Sequence, residues 1–340
     1  MPATEQDLAL SVIVATHNRR ELLRRCLESL ALQTQDPASF EVIVADDGST
    51  DGSPAMAEAL DTPSRLRVLA LEKSGHAAAQ NAGIERANAP VCLLLDDDVV
   101  ASPELVEGHI EAHRAEQVTI GVGALTQEPV TTRDWYAHAF AKGWQEHNEE
   151  MAGRDARWTD CYGANLSFPR RLLCELGGVS TDLAAGKDFD LAYRLWRAGC
   201  KPTYLPKALG VHDDQKGSDQ MIADARRQGA MHVELAHRYP EAAPELLDWG
   251  LGAEFHELTA RRLCVTLRIP PAPLVWIGRF VPGDGRRMIW LHFVRRLAFW
   301  RGVQESVDRA KWTQLTLPAE AAHRYAIVAG LSVIVMELPL

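Results

Sequence analysis

Three consecutive carboxylates, Asp96-Asp97-Asp98, follow directly on the apolar run Val91–Leu95. Adjacent carboxylates repel one another unless a cation stands among them. A Mg²⁺ or Mn²⁺ ion bridging a substrate diphosphate is the natural neutraliser, because hard cations take oxygen ligands. A second acidic turn, Asp46-Asp47-Gly48-Ser49, closes the apolar run Phe40–Ala45. The plain alternative for each is a solvated acidic turn. An open parallel sheet, however, binds its ligands just beyond the carboxyl ends of its strands, which is where these turns fall. His212 follows Leu-Gly-Val and precedes Asp213-Asp214, and a neutral imidazole beside a carboxylate suits Mn²⁺. Most of the 12 histidines need no such role, so this one depends on its context.

The elements that must hold these groups alternate between strand and helix. Leu10–Ala15 is a continuous β-branched run, as in a strand buried on both faces. Asn18 and Glu21 have capping-box spacing, and Leu22, Leu23, Cys26, Leu27 and Leu30 form a helical stripe. Strands are expected at Phe40–Ala45, Leu66–Leu71, Val91–Leu95 and Val118–Leu125, with helices from His76 to Ala87 and from near Pro103. Repeated β-α-β units imply a largely parallel sheet. Residues 126–160, rich in Trp, His and acidic residues, lack clear periodicity and read as a long functional excursion. A helix is expected over Asp188–Ala198, then short edge strands at Lys201–Leu205 and Leu209–His212.

Four segments in order resemble the inverting glycosyltransferases of family 2, which have the GT-A nucleotide-sugar-binding fold. They are SVIVATHNR, VIVADDGSTD, LLLDDDVV, and the pair GANLSFPRR with GGVSTDLAAGKDFDLAYRL, and the resemblance extends over roughly residues 8–215. The resemblance implies a doubly wound, mostly parallel α/β sheet with helices on both faces. It also implies transfer of a sugar from a nucleotide-diphosphate sugar to a hydroxyl acceptor on a glycan, a lipid-linked sugar or a small molecule. Carried over, Thr16 sits beside the nucleotide base and Asp47 hydrogen-bonds it. Asp96 and Asp97 lie near the ribose and sugar, Asp98 is the metal ligand of the D-x-D motif, and His212 completes the sphere of Mn²⁺ or Mg²⁺. Asp188, in the family's Glu-Asp position, is the general base, and a helix dipole with Lys187 nearby would keep it ionised. A helix cap is its alternative role, and Asp190 is the rival base. Lys187 replaces the family's Glu, and Gln80-Asn81 stands where the family has a basic residue. Trp135, Trp144 and Trp158 offer faces for an acceptor sugar or, equally, loop anchors. Asn165 and Ser167 read as ligand contacts or as turn residues.

The 340 residues, 46% hydrophobic and 24% charged, suit one α/β domain, 8–215, and a mainly helical C-terminal region, 216–340. Residues 216–340 carry 16 basic and 13 acidic side chains, a net of +3, leaving −13 on residues 1–215. That balance speaks against a nucleic-acid binder. Within 258–312 there are 11 basic and 3 acidic residues, interspersed with Trp276, Trp290, Phe293, Phe299 and Trp300. This suggests peripheral contact with an anionic membrane face, or else a packed appendage. No apolar run is long enough to span a membrane, Ala326–Met336 included, and the first residues lack a secretory pattern. A cytosolic protein, peripheral on the inner membrane face, is expected, its six cysteines reduced core thiols. Neither G-x-G-x-x-G after the first strand, nor a P-loop, nor H-E-x-x-H is present. A nucleotidyltransferase would bring a glycine-rich basic loop, which HNRRELL is not. The alternative of another class is a non-catalytic nucleotide-sugar or glycan binding protein on the same fold.

Overall fold

The computed structural model describes residues 8–114, 118–128, 134–213, 217–247, 269–307, 324–329 and 332–337. By contact, the described residues of 1–130, 141–183 and 187–215 form one compact unit, and those of 131–140, 184–186 and 216–340 a second.

The first unit is built on strands β1 (Leu10–Thr16), β2 (Phe40–Asp46), β3 (Arg65–Ala70), β4 (Val91–Leu95), β5 (Val99–Ala101), β6 (Thr119–Gln127), β7 (Asn165–Pro169) and β8 (Lys201–His212). They form one sheet in the order β3-β2-β1-β4-β7-β6-β8-β5. β1 to β4 pair in parallel, as do β6 and β8; β7 and β5 run against their neighbours. The sheet is therefore mostly parallel, as expected, but mixed. Around it lie α1 (Arg20–Leu30), α2 (Ser53–Glu58), α3 (His76–Arg86), α4 (Leu105–Ala112), residues 141–152 of α5 (Trp135–Ala152), α6 (Arg170–Glu175) and α7 (Lys187–Arg197).

Side chains alternate across a strand, so β1 feeds two cores. Leu10, Val12 and Val14 pack with Leu23, Leu27 and Leu30 of α1 and Val106 and Ile110 of α4. Ile13 joins Ile84 of α3, Leu173 of α6 and Leu191 and Leu195 of α7 on the other face. Burial on both faces is why β1, β2 and β4 are apolar without alternation.

Three expectations need correction. Lys201–Leu205 and Leu209–His212 are not separate strands but the two ends of β8; residues 210–212 lie between β6 and β5, whereas 201–205 pair with β6 alone and keep the edge position expected of them. The register against β6 breaks between Gly123 and Leu125, whose partners are Leu205 and Gly210. Pro206, which has no amide hydrogen to give a ladder, sits in the irregular stretch. The excursion at 126–160 contains the 18-residue helix α5. Its inner positions include Asn148, whose Nδ2 donates to Leu125 O at 2.7 Å, so a polar residue interrupts the stripe that periodicity would detect. Asn18 does not cap α1. It adopts φ +52°, and its Oδ1 accepts from Thr50 N at 2.7 Å, tying the β1–α1 turn to the β2 turn.

The second unit contains α8 (Ser218–Arg238), α9 (Ala243–Leu247), α10 (Pro271–Gly278), α11 (Asp284–Ser306) and an antiparallel pair, β9 (Arg324–Ala329) and β10 (Ser332–Glu337). The described part of 216–340 is thus helical except for that pair. α8 and α11 meet backbone to backbone: a Cβ on Gly229 would lie 1.9 Å from Phe299 O, and one on Gly302 1.8 Å from Arg226 O. Among the described residues no helix is long and apolar enough to cross a membrane. Cys26, Cys92, Cys161 and Cys200 are buried as expected, but Cys174 is exposed, and Cys264 lies outside the described residues.

Candidate active site

The site forms where β1, β2 and β4 end. Thr16 closes β1, and its Oγ1 donates to Asp97 Oδ2 at 2.7 Å. The left-handed turn at Asn18 then sends Arg19 back over the acidic triplet. Arg19 Nη1 stands 2.7 Å from Asp97 Oδ1, and Nη2 2.5 Å from Asp98 Oδ2. Sequence reasoning passed over Arg19, although a cation in Thr-His-Asn-Arg-Arg, next to a strand end facing carboxylates, was the available signal.

Pairing of β5 with β8 sets Val99 opposite His212, which carries the preceding Asp98 to the imidazole. Asp98 Oδ1 lies 2.9 Å from His212 Nε2, and Asp213 N donates to Asp98 O at 2.8 Å. That carboxylate oxygen is buried and receives no hydrogen bond of ordinary geometry. Ligand atoms of Asp96, Asp98 and His212 all lie within 4.8 Å of one another. Two carboxylates and an imidazole form a hard-to-borderline donor set that Mn²⁺ or Mg²⁺ would accept, and the buried oxygen short of a donor points the same way. The residues fit a divalent cation.

The triplet is electrically uneven. Burial raises Asp96 to about 6, helped by Asp98 and Asp188. Burial likewise raises Asp97 to about 6 against the pull of Arg19 and the Thr16 hydroxyl. Burial acts upward on Asp98 too, but His212 and Arg19 outweigh it and hold that carboxyl at about 2. Asp98 is the most acidic member of the triplet.

Asp188 stands in the first turn of α7 and is close enough to Asp96 to raise it. Its own carboxyl is raised by burial, which outweighs the amides of Gly163 and Phe189. Of the two influences expected to keep it ionised, the first amides of α7 do draw it down, whereas Lys187 is not among the groups that shift it. Asp190, the rival base, is fully buried, 2.8 Å from Arg194 Nη2 and accepting from Ser180 Oγ at 2.5 Å, so it is committed to structure.

Asp47 is 5% exposed, and its Oδ1 accepts from Ser74 N at 2.6 Å and Gly75 N at 2.9 Å. It thereby fixes the loop leading into α3, a task the sequence did not reveal. Gly48 at φ +72° makes the adjoining turn, where a Cβ would lie 3.0 Å from Lys73 N. Asn165 and Ser167 are interior rather than ligand-facing. His109 Nε2 donates to Asn165 Oδ1 and His109 Nδ1 accepts from Ser167 Oγ, both at 2.8 Å, while His113 Nε2 donates to the same Ser167 oxygen. Asn165 Nδ2, which donates to Ala208 O at 2.9 Å, fixes that assignment. The three tryptophans are divided between the units and differ in exposure. Trp135 belongs to the second unit, and Trp158 is 3% exposed, packed between Tyr193 and Trp196. Trp144 meets Tyr162 edge-on at 5.5 Å, and Tyr162 meets Phe189, the neighbour of Asp188.

Sheet order, reversed β7 and strand-end carboxylates define a GT-A-like α/β fold. Its likeness to the mannosyltransferase PcManGT from Pyrobaculum calidifontis, solved with GDP-Man and Mn²⁺, has a TM-score of 0.60 at 19% identity and covers 88% of each chain. The profile described as "Glycosyl transferase family 2" matches residues 11–177. The uncharacterized glycosyltransferase YwdF of Bacillus subtilis (strain 168) is 37% identical over 280 residues, 80% of this chain and 96% of the relative. The chain belongs to glycosyltransferase family 2. Validoxylamine A glucosyltransferase of Streptomyces hygroscopicus subsp. limoneus is 28% identical over 272 residues, 72% of this chain; the chain spans only 60% of that relative's length.

Proposed function

We propose that the first unit transfers a sugar, with inversion, from a nucleoside-diphosphate sugar to a hydroxyl acceptor. The observation that carries this reading is the gathering of Asp96, Asp98 and His212 at the strand ends, with Asp188 near enough to perturb Asp96. Asp98 and His212, with Asp96, would hold Mn²⁺ or Mg²⁺, which when bound neutralises a departing diphosphate. Thr16 and Asp47 border the place for the base, and Asp97, steadied by Thr16 and Arg19, borders the sugar. Asp188 takes the proton of the acceptor hydroxyl as its oxygen bonds the anomeric carbon from the face opposite the breaking bond to phosphate. A carboxyl raised by burial is a stronger base than an exposed one, which favours this role. Binding of GDP-Man and Mn²⁺ by PcManGT supports a nucleotide-sugar donor and a divalent ion. A cytosolic enzyme in peripheral contact with a membrane face would meet a lipid-linked acceptor.

Asp188→Asn is the test. Transfer should fall by ~10²–10⁴, the usual worth of a general base, while donor affinity stays near wild type. Near wild-type turnover would remove the base assignment. Donor binding with no transfer in the unaltered protein would favour the non-catalytic binder instead.

A further inference from the structure

Among the described residues, seven large apolar side chains are strongly exposed, and Trp276, Ile277, Phe280 and Ile289 account for four of them. These four fall in one stretch of the second unit: α10, the turn after it and the first turns of α11. Clustering of this kind marks a contact surface, whereas single exposed apolar residues do not. In α10 the outward positions are Ala272, Pro273, Trp276 and Ile277, continued by Phe280, while Val275 and Gly278 face inward. The rings of Trp276 and Phe280 meet at 4.9 Å and make one knob.

The helix cannot roll over to hide that knob. Trp135 Nε1 donates to Val275 O at 3.0 Å, and Trp290 Nε1 to Leu274 O at 2.7 Å. These bonds occupy two carbonyls near the C-terminal end of α10, where the helix itself supplies few partners. A Cβ at Gly278 would lie 2.0 Å from the Trp135 ring, so the inner face is already closed. The outer face is held in water by construction.

Its charge is mostly positive, although Asp134 and Asp219 line the cleft beside Trp276 and Arg279. Arg279 stands over the Trp276 ring at 5.9 Å, Arg286 is exposed, and Arg287 donates to Val281 O at 2.9 Å; Asp284 is the single acid between 276 and 289. Arg286 and Ile289 lie three apart on α11 and share its exposed side.

We propose that the tip joining α10 and α11 is a membrane-interface element, seating Trp276, Ile277 and Phe280 among the headgroups of an anionic lipid surface. Aromatic and aliphatic residues flanked by arginines satisfy both layers of such a surface, apolar below and negative above. A second copy of the chain is the poorer occupant, because a two-fold contact through this patch would set arginine against arginine. The proposal does not rest on sugar transfer, since none of these residues belongs to the candidate active site.

Flotation of the full chain with vesicles of phosphatidylcholine alone, and of phosphatidylcholine with phosphatidylglycerol, tests it at low salt. Binding is expected to the anionic vesicles only and to weaken as salt rises. The doubly substituted Trp276→Ser/Phe280→Ser chain should bind at least about tenfold more weakly, and Arg279→Ala and Arg286→Ala about fivefold each. Leu32→Ser, at a still more exposed site in the first unit, should bind like wild type. Equal or no binding to both vesicle types would overturn the proposal, as would unchanged binding by the double variant. A wild-type dimer in sedimentation equilibrium that the double variant converts to monomer would overturn it too, assigning the knob to self-association.

Discussion

Arg19 is the residue that sequence reasoning undervalued. Its guanidinium reaches Asp97 and Asp98 together, so the triplet carries a counter-charge inside the chain. The carboxylates were legible because three in a row after Val91–Leu95 are costly without a purpose. Arg19 was not, because its direction depends on the left-handed Asn18, and no spacing rule reports one residue at positive φ. The same limit applies at α7: Asp188 and Asp190 differ by two positions, and only the structure shows Asp190 bound to Arg194. The ligand assignment makes its own prediction. With nucleoside diphosphate present, Mn²⁺ affinity measured by calorimetry should fall in Asp98→Ala and His212→Ala by at least the roughly 10–100-fold that even an outer-sphere partner costs. Unchanged affinity in both would reduce the triplet to an acidic turn.

Elements whose apolar pattern is simple were readable: β1, β2, β4, α1 and α7 lie within a residue or two of their expected bounds. Those with polar interiors were not. β7 buries Asn165 and Ser167 against His109 of α4, and such residues read as ligand contacts until their partners are known. This network has a pH signature. Burial lowers the fully buried His109 to about 4, from an unfolded value near 6.5, so between those values the unfolded chain binds more protons than the folded one. Stability from this group is complete above pH 6.5 and is lost as pH falls towards 4, by roughly 3 kcal/mol at most. Urea midpoints at pH 7, 6 and 5 should show His109→Gln less stable than wild type at pH 7 and losing less on acidification. Parallel decline of the two proteins would exclude His109 as the source.

At the scale of the molecule, the charge count separated an acidic first part from a basic second, yet it could not say which aromatics face water. Phe299 and Trp300 of α11 are buried at 0% and 9%, whereas Trp276 is 55% exposed, although all three stand near arginines. The C-terminal half of α11 is covered nearly all round, and the backbone contact at Gly229 and Gly302 brings α8 against it closely enough to account for part of that. Ligand binding should register in the stability of the chain as a whole. Nucleoside diphosphate with Mn²⁺ at about 100 times Kd contributes ~2.7 kcal/mol, which corresponds to roughly 5–10 °C in Tm for a unit of this size. Differential scanning calorimetry without such a rise would count against donor binding at the strand ends.

The irregularity in β8 bears on inheritance. Between the pairs Gly123–Leu205 and Leu125–Gly210, β6 advances two residues while β8 advances five, a surplus of three. Three is odd, and in a strand odd and even decide which face a side chain occupies. His212 therefore owes its meeting with Asp98 to the parity of the stretch 206–209. A relative could keep both residues letter for letter and lose the pair by one deletion there. What descends with this site is a count as much as a set of residues.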